Sequence, residues 1–284
     1  MTSFSLSALS ALLLDAPLVR SKVVARDPAP DSMAEWDLAA CKKDIGTAAP
    51  VERVILCADL WTSIAANQLM GIGVLLYRRD TLFATFPILR SVIEHGAATT
   101  WVMDDKIDSR ERAKRAALAA LRSEEEMVKV SAKLGGRGTD TNKAAKAQFR
   151  ALREAIKVEF GDLVESGGWS IDGVSLPKPT EMIEHFGGRW GDARQWSGMY
   201  DYFCATANHP SLSAFEYATL DGSGSSGFTA SLDMVQRLVR AALVPYLKSM
   251  EYLCAYMGWD RSALDTYIDR INEVLGGVLS DPTD

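Results

Sequence analysis

Metal and disulfide chemistry have little to work with in this chain, which spreads three histidines and four cysteines over 284 residues. Cys41, Cys57, Cys204 and Cys254 share no C-x-x-C spacing. That argues against a zinc site or a disulfide framework and fits a reducing, cytoplasmic setting. No metal and no other cofactor is expected. A basic excess is missing too. The net charge is −6, and lysines and arginines interleave with acids, as in Arg110-Glu111-Arg112. Nucleic-acid binders draw much of their affinity from neutralising phosphates, so RNA or DNA is a disfavoured partner, although a local basic patch stays open. The motifs G-x-x-x-x-G-K-[ST], G-x-S-x-G and H-E-x-x-H are absent, as are paired E-x-x-H motifs and a G-x-G-x-x-G between strand and helix. There is no repeat of fixed period and no succession of alternating strands.

Membrane signals are weak. Phe4 to Leu14 is apolar, but no basic residue precedes it and Asp15 ends it, unlike a secretory signal. Leu60 to Tyr77 approaches the length of a membrane span but contains Asn67, Gln68, Gly71 and Gly73. A helix buried on most sides within a bundle accounts for it, and no membrane partner is expected.

What the chain does have is apolar spacing of helical period. Composition is ordinary for a globular domain, with 48% hydrophobic and 24% charged residues. The expected fold is all-α, a multi-helix bundle on a long hydrophobic antiparallel hairpin. Residues 1–50 read as peripheral helices and a loop through Pro28 and Pro30; residues 51–284 read as one helical domain. Val51 to Tyr77 is one helix, and a second runs from about Phe86 to Met103, where Asp104-Asp105 closes the hairpin. Ser109 caps a third that stops at Gly135-Gly136, and Asn142 to Leu163 pairs with it as an outer hairpin. Ile171-Asp172-Gly173-Val174 suits a small turn or hairpin. A helix over Ala193 to Asn208 must end at His209, because Pro210 disfavours helical geometry before it. The Gly/Ser-rich stretch 221–227 reads as a linker, and helices near 229–257 and after Asp260 complete the chain.

Two polar groups stand out. In an antiparallel hairpin about Asp80, Asn67 lies thirteen residues before the turn and Glu94 fourteen after it, with Arg90 one turn from Glu94. Asn67, Arg90 and Glu94 are therefore expected to meet among Leu, Ile, Val and Phe, either as a pair fixing helix register or as a binding site. His95 follows in Arg90-Ser-Val-Ile-Glu-His95, about 140° round the helix from Arg90, and need not converge with it. The second group is Tyr200, Cys204 and Asn208 on one helical face, with His209 at the helix end, where a protonated histidine is favoured. It reads equally as a helix stop. His185 reads as surface.

Leu89-Arg90-Ser91-Val92-Ile93-Glu94 within a hydrophobic hairpin, followed by Tyr200 and His209-Pro210-Ser211, resembles a group of bacterial all-helical domains of unknown function. That group is in turn similar to HEPN domains, which include metal-independent ribonucleases of defence and toxin–antitoxin systems. The resemblance covers residues 50 to 260 loosely. It implies Arg90 on the phosphorane charge and His95 or His209 as general acid or base. Two functions are carried forward. One is a bundle binding a small polar ligand or protein partner through Asn67, Arg90, Glu94, Tyr200, Asn208 and His209, with a homodimer as a candidate assembly. The other is the ribonuclease, with Arg90, His95 and His209 as candidate catalytic residues. A metal-dependent oxidase lacks the repeated ligand spacing and ranks last.

Overall fold

Polar punctuation divides the chain into helices. The structure, a computed structural model, describes residues 5–78, 84–165, 168–208, 218–220, 226–228 and 232–276. Its helices are α1 (Leu6–Val23), α2 (Met33–Ile45), α3 (Ala49–Arg78), α4 (Thr85–Val102), α5 (Ser109–Leu134), α6 (Asp140–Phe160), α7 (Pro179–Trp190), α8 (Ala193–Asn208), α9 (Leu232–Met257) and α10 (Ser262–Leu275). Short strands β1 (Leu163–Glu165), β2 (Trp169–Ile171) and β3 (Val174–Ser175) form an antiparallel sheet, and β4 (Ala218–Leu220) pairs with β5 (Ser226–Phe228). The all-α expectation holds, with a multi-helix bundle and only these scraps of strand among the described residues.

Local chemistry explains many of the boundaries. Ser32 accepts a hydrogen bond from the Glu35 amide while the Glu35 carboxylate takes the Asp31 amide, and Gly46 ends α2 at φ 80°. Asp108, rather than the expected Ser109, caps α5 by accepting from the Glu111 amide at 2.7 Å. Asp172 and Gly173 both take positive φ, 47° and 79°, the geometry that a two-residue hairpin turn favours. The expected linker at 221–227 falls mostly outside the described residues, but its flanks pair as β4 and β5 in register Thr219↔Gly227.

The central layer is the α3–α4 hairpin, with α9 packed on α4. A Cβ at Gly96 would lie 2.5 Å from Pro245 Cβ and 2.8 Å from its carbonyl, so only glycine permits this approach of α4 to α9. Expected at the periphery, α1 is instead part of the core. Leu9, Leu12, Leu13 and Ala16 are at most 1% exposed. Ser10 Oγ donates to the Gly73 carbonyl at 2.7 Å, and the Tyr267 and Tyr246 hydroxyls donate to the Leu12 and Ala16 carbonyls. Prolines in the following loop mark the end of a helix; they say nothing about which surface that helix covers.

The buried side chains fall into two clusters. One gathers α1, α4, α8, α9 and α10; the other gathers α5, α6, β2 and the end of α9, with α3 running through both. Arg53 of α3 fastens the second with paired bonds to Glu159 of α6 at 2.9 and 3.1 Å. The expectation that α3 is buried on most sides is corrected: its outward residues Leu56, Leu60, Met70, Val74 and Tyr77 are between 39% and 71% exposed. By length and composition α3 could cross a membrane, although its inner face packs on the bundle.

Candidate functional site

Arg90 and Glu94 stand one turn apart on α4, and α8 brings Tyr200 against them. Arg90 Nε donates to Glu94 Oε1 at 2.8 Å, and the Tyr200 hydroxyl donates to the same oxygen at 2.5 Å. The Arg90 guanidinium lies over the Tyr200 ring, 5.6 Å from its centroid. Arg90 and Glu94 keep 30% of their side-chain surface, whereas Tyr200 is buried. Burial works against the Arg90 charge, but the hydrogen bond and the charge of Glu94 outweigh it and hold the guanidinium firmly protonated. Burial, then the bond to Glu94 and its charge, push the Tyr200 phenol well above its ordinary value. Tyr200, read in the second polar group of the sequence, thus joins Arg90 and Glu94 of the first through one carboxylate oxygen.

Asn67 does not join them. It is exposed on the outer face of α3, where its Nδ2 donates back to the Ser63 carbonyl at 2.8 Å. The hairpin register was close, but the residue facing α4 is its neighbour Gln68, whose Nε2 donates to Ser91 Oγ at 2.7 Å. One residue along a helix turns the side chain through about 100°, which moves Asn67 from the hairpin interface to the outer face. His95 points along this Gln68–Ser91 side: its Nδ1 lies 2.6 Å from the Ser91 carbonyl and 3.3 Å from Ser91 Oγ. Asn208 closes α8, and His209 lies outside the described residues.

A second polar cluster lies beyond the other end of α4. Asp104, 4% exposed, pairs with Arg189 of α7, while Arg189 also reaches Asp105 and lies over the Tyr252 ring of α9. His185 Nε2 stands 3.2 Å from Asp104 Oδ2, and Arg115 of α5 approaches the same oxygen at 3.9 Å. Burial opposes the Asp104 charge, but the Lys106 amide, Arg189 and His185 outweigh it and hold the carboxyl below its usual range. Burial lowers the His185 pKa; Asp104 pulls it back up, and Arg115 and Arg189 push it down again, leaving it below its ordinary value. Lys248 sits 4.2 Å over the Trp190 ring, and the buried Trp190 Nε1 has no hydrogen-bond partner among the described residues.

No family model, no curated protein and no solved structure matches this chain.

The chemistry open to each cluster follows from its donors and acceptors. An ionised carboxylate can only accept, so His185 Nε2 carries the proton and Nδ1 keeps a lone pair. That is the form of a general base, yet no hydroxyl or thiol bonds Nδ1 among the described residues. Arg90, Glu94 and Tyr200 instead present a fixed cation and a carboxylate at a partly open surface. No grouping of three or more histidine, cysteine, aspartate or glutamate side chains suited to a metal occurs among the described residues. Sequence reasoning missed the Asp104 cluster, taking Asp104-Asp105 as a turn and His185 as surface. One signal was there. Two acids just past a helix C-terminus oppose the helix dipole, so they imply cations supplied from elsewhere.

Proposed function

We propose that the chain is a binding module for a small molecule carrying an anionic group beside a hydrogen-bond donor, such as an amino or hydroxy acid. The observation that carries this reading is the Glu94 oxygen shared by Arg90 and Tyr200, with both charged side chains still 30% accessible. A ligand's carboxylate or phosphate would meet the outer edge of the Arg90 guanidinium, and its donor would meet the remaining lone pairs of Glu94. Tyr200 holds the pair in place, so little is lost in ordering the site on binding.

The ribonuclease alternative draws no support from Arg90 and His95, and its other candidate, His209, lies outside the described residues. A nuclease must bring its cation and its proton carrier around one phosphate, whereas Arg90 faces Tyr200 on α8 and His95 is engaged with Ser91 on the side facing α3.

The test is thermal denaturation of the wild type and of Arg90→Ala in the presence of single amino acids, hydroxy acids and inorganic phosphate at millimolar concentration. A ligand at 100 times its Kd stabilises the folded state by about 2.7 kcal/mol. The expected result is a stabilising probe whose effect Arg90→Ala removes. Stabilisation that survives Arg90→Ala would place the site elsewhere. Metal-free cleavage of single-stranded RNA, lost in both Arg90→Ala and His95→Ala, would establish the nuclease instead.

A further inference from the structure

Along the outer face of α3, residues Leu56, Leu60, Ser63, Asn67, Met70, Val74 and Tyr77 recur at alternating intervals of four and three. That is the spacing of a coiled-coil seam, and among the described residues the helices of the bundle cover only the opposite side of α3. Five of the seven are large apolar residues, from Met70 at 39% to Tyr77 at 71% exposed. Leu14 and Leu18 of α1, 37% and 55% exposed, widen the stripe. Leu14 packs at Gly73, its Cγ 3.1 Å from where a Cβ there would stand, and Arg20 bonds Asp59, so the two leucines flank the seam between those levels. Large apolar side chains exposed along one helix face in this way mark an interaction site.

We propose that α3 packs antiparallel against α3 of a second copy of this chain, about a two-fold axis passing through Asn67. Three observations select a second copy in that orientation. Asn67 lies at the middle of the seam, so the antiparallel pairing brings it against its own counterpart while Leu60 meets Val74 and Leu56 meets Tyr77. Asn67 spends one of its two Nδ2 protons on the Ser63 carbonyl, which leaves the other to donate, and Oδ1 to accept, across the axis. An asparagine at the centre of a largely apolar seam is a device that fixes register at some cost in stability. The third observation is charge. Glu52 is exposed near the start of the helix and Arg78 at its end. Antiparallel pairing sets Glu52 of each copy within one turn of Arg78 of the other and opposes the helix dipoles, whereas parallel pairing sets like against like. With α1 flanking α3 in each copy, the assembly is a four-helix layer of the kind that self-complementary interfaces build.

The experiment is sedimentation equilibrium of the full chain at micromolar concentrations, beside Leu60→Lys and Val74→Lys. Both substitutions fall on exposed positions, and an unchanged circular dichroism spectrum verifies folding. The expected mass is about 62 kDa for the wild type, twice the 31.0 kDa of the chain, falling to monomer in both variants. Orientation is read by oxidative cross-linking against a wild-type control for the four native cysteines. Asn67→Cys should cross-link to itself, and Leu60→Cys should cross-link to Val74→Cys but not to itself. A monomeric wild type, a dimer that survives both lysine substitutions, or self-linking of Leu60→Cys would overturn the proposal. Wild type that stays monomeric and sediments with phosphatidylcholine–phosphatidylglycerol vesicles, while Leu60→Lys does not, would assign the face to a membrane instead.

Discussion

The two polar clusters flanking α4 use the same residue types but are built in opposite ways. Arg90 and Glu94 lie one turn apart on a single helix and stay partly in water, with Tyr200 closing over them from α8. Asp104 lies two residues past the end of α4 and has no cationic partner on that helix. Its cations come from Arg115 of α5 and from His185 and Arg189 of α7, up to 85 residues away, and it is buried to 4% exposure. A pair within one helix forms wherever the helix forms. A cluster gathered from three elements forms only when the tertiary fold does, so it reports on the fold's integrity and the first cluster reports on its surface. Exposure points the same way: the open cluster is the one a ligand can reach, and the closed one holds α4, α5, α7 and α9 together.

The sharpest way to break this comparison is to remove each carboxylate. Asp104→Ala takes the buried acceptor from His185 and Arg189, leaving Arg189 only the exposed Asp105 while Arg115 keeps Glu111, and should cost about 3 kcal/mol in urea denaturation. A loss below about 1 kcal/mol would mean that water already screens the cluster and the contrast is false. Glu94→Ala should cost less, about 1–2 kcal/mol. The ion pair itself is partly exposed and worth little, and most of the loss comes from the Tyr200 hydroxyl left without its acceptor. Equal costs for the two substitutions would erase the distinction.

A smaller effect separates the clusters by pH. Asp104 and His185 both titrate below their ordinary values in the folded chain. Each contributes stability that is complete above its unfolded pKa, about 3.9 for the carboxyl and about 6.5 for the imidazole, and lost as pH falls through the folded value. Tyr200 titrates above its ordinary value, about 10, so its contribution is complete below that and lost as pH rises through the folded value. Acid therefore loosens the Asp104 cluster and alkali the Arg90 cluster, each by at most about 1.4 kcal/mol per pH unit. Burial raises Tyr246, Tyr252, Tyr256 and Tyr267 as well, so the alkaline effect is read as the difference between wild type and Tyr200→Phe. The acid effect is the difference between wild type and His185→Gln from about pH 7 to pH 5, and wild type should lose stability faster there. Parallel curves in either comparison would remove that residue from the account.

Apolar spacing and local capping are properties of short stretches, and these the sequence determined by itself: the helices, the α3–α4 hairpin, the turn at Asp172-Gly173 and the Arg90–Glu94 pair. Even the hairpin register was legible to within a residue or two, since Gln68 meets Ser91 where Asn67 was expected to meet Glu94. Which way a helix face points is a different matter, because it depends on every neighbour at once. Only the tertiary structure decided that α1 belongs in the core, where Leu9, Leu12 and Leu13 replace water around α3. Only it turned Asn67 outward into an apolar seam and gathered Asp104, Arg115, His185 and Arg189 from three separate elements. A buried carboxylate and its distant cations have no common period in the sequence; what brings them together is the cost of leaving either charge unpaired once packing has excluded water.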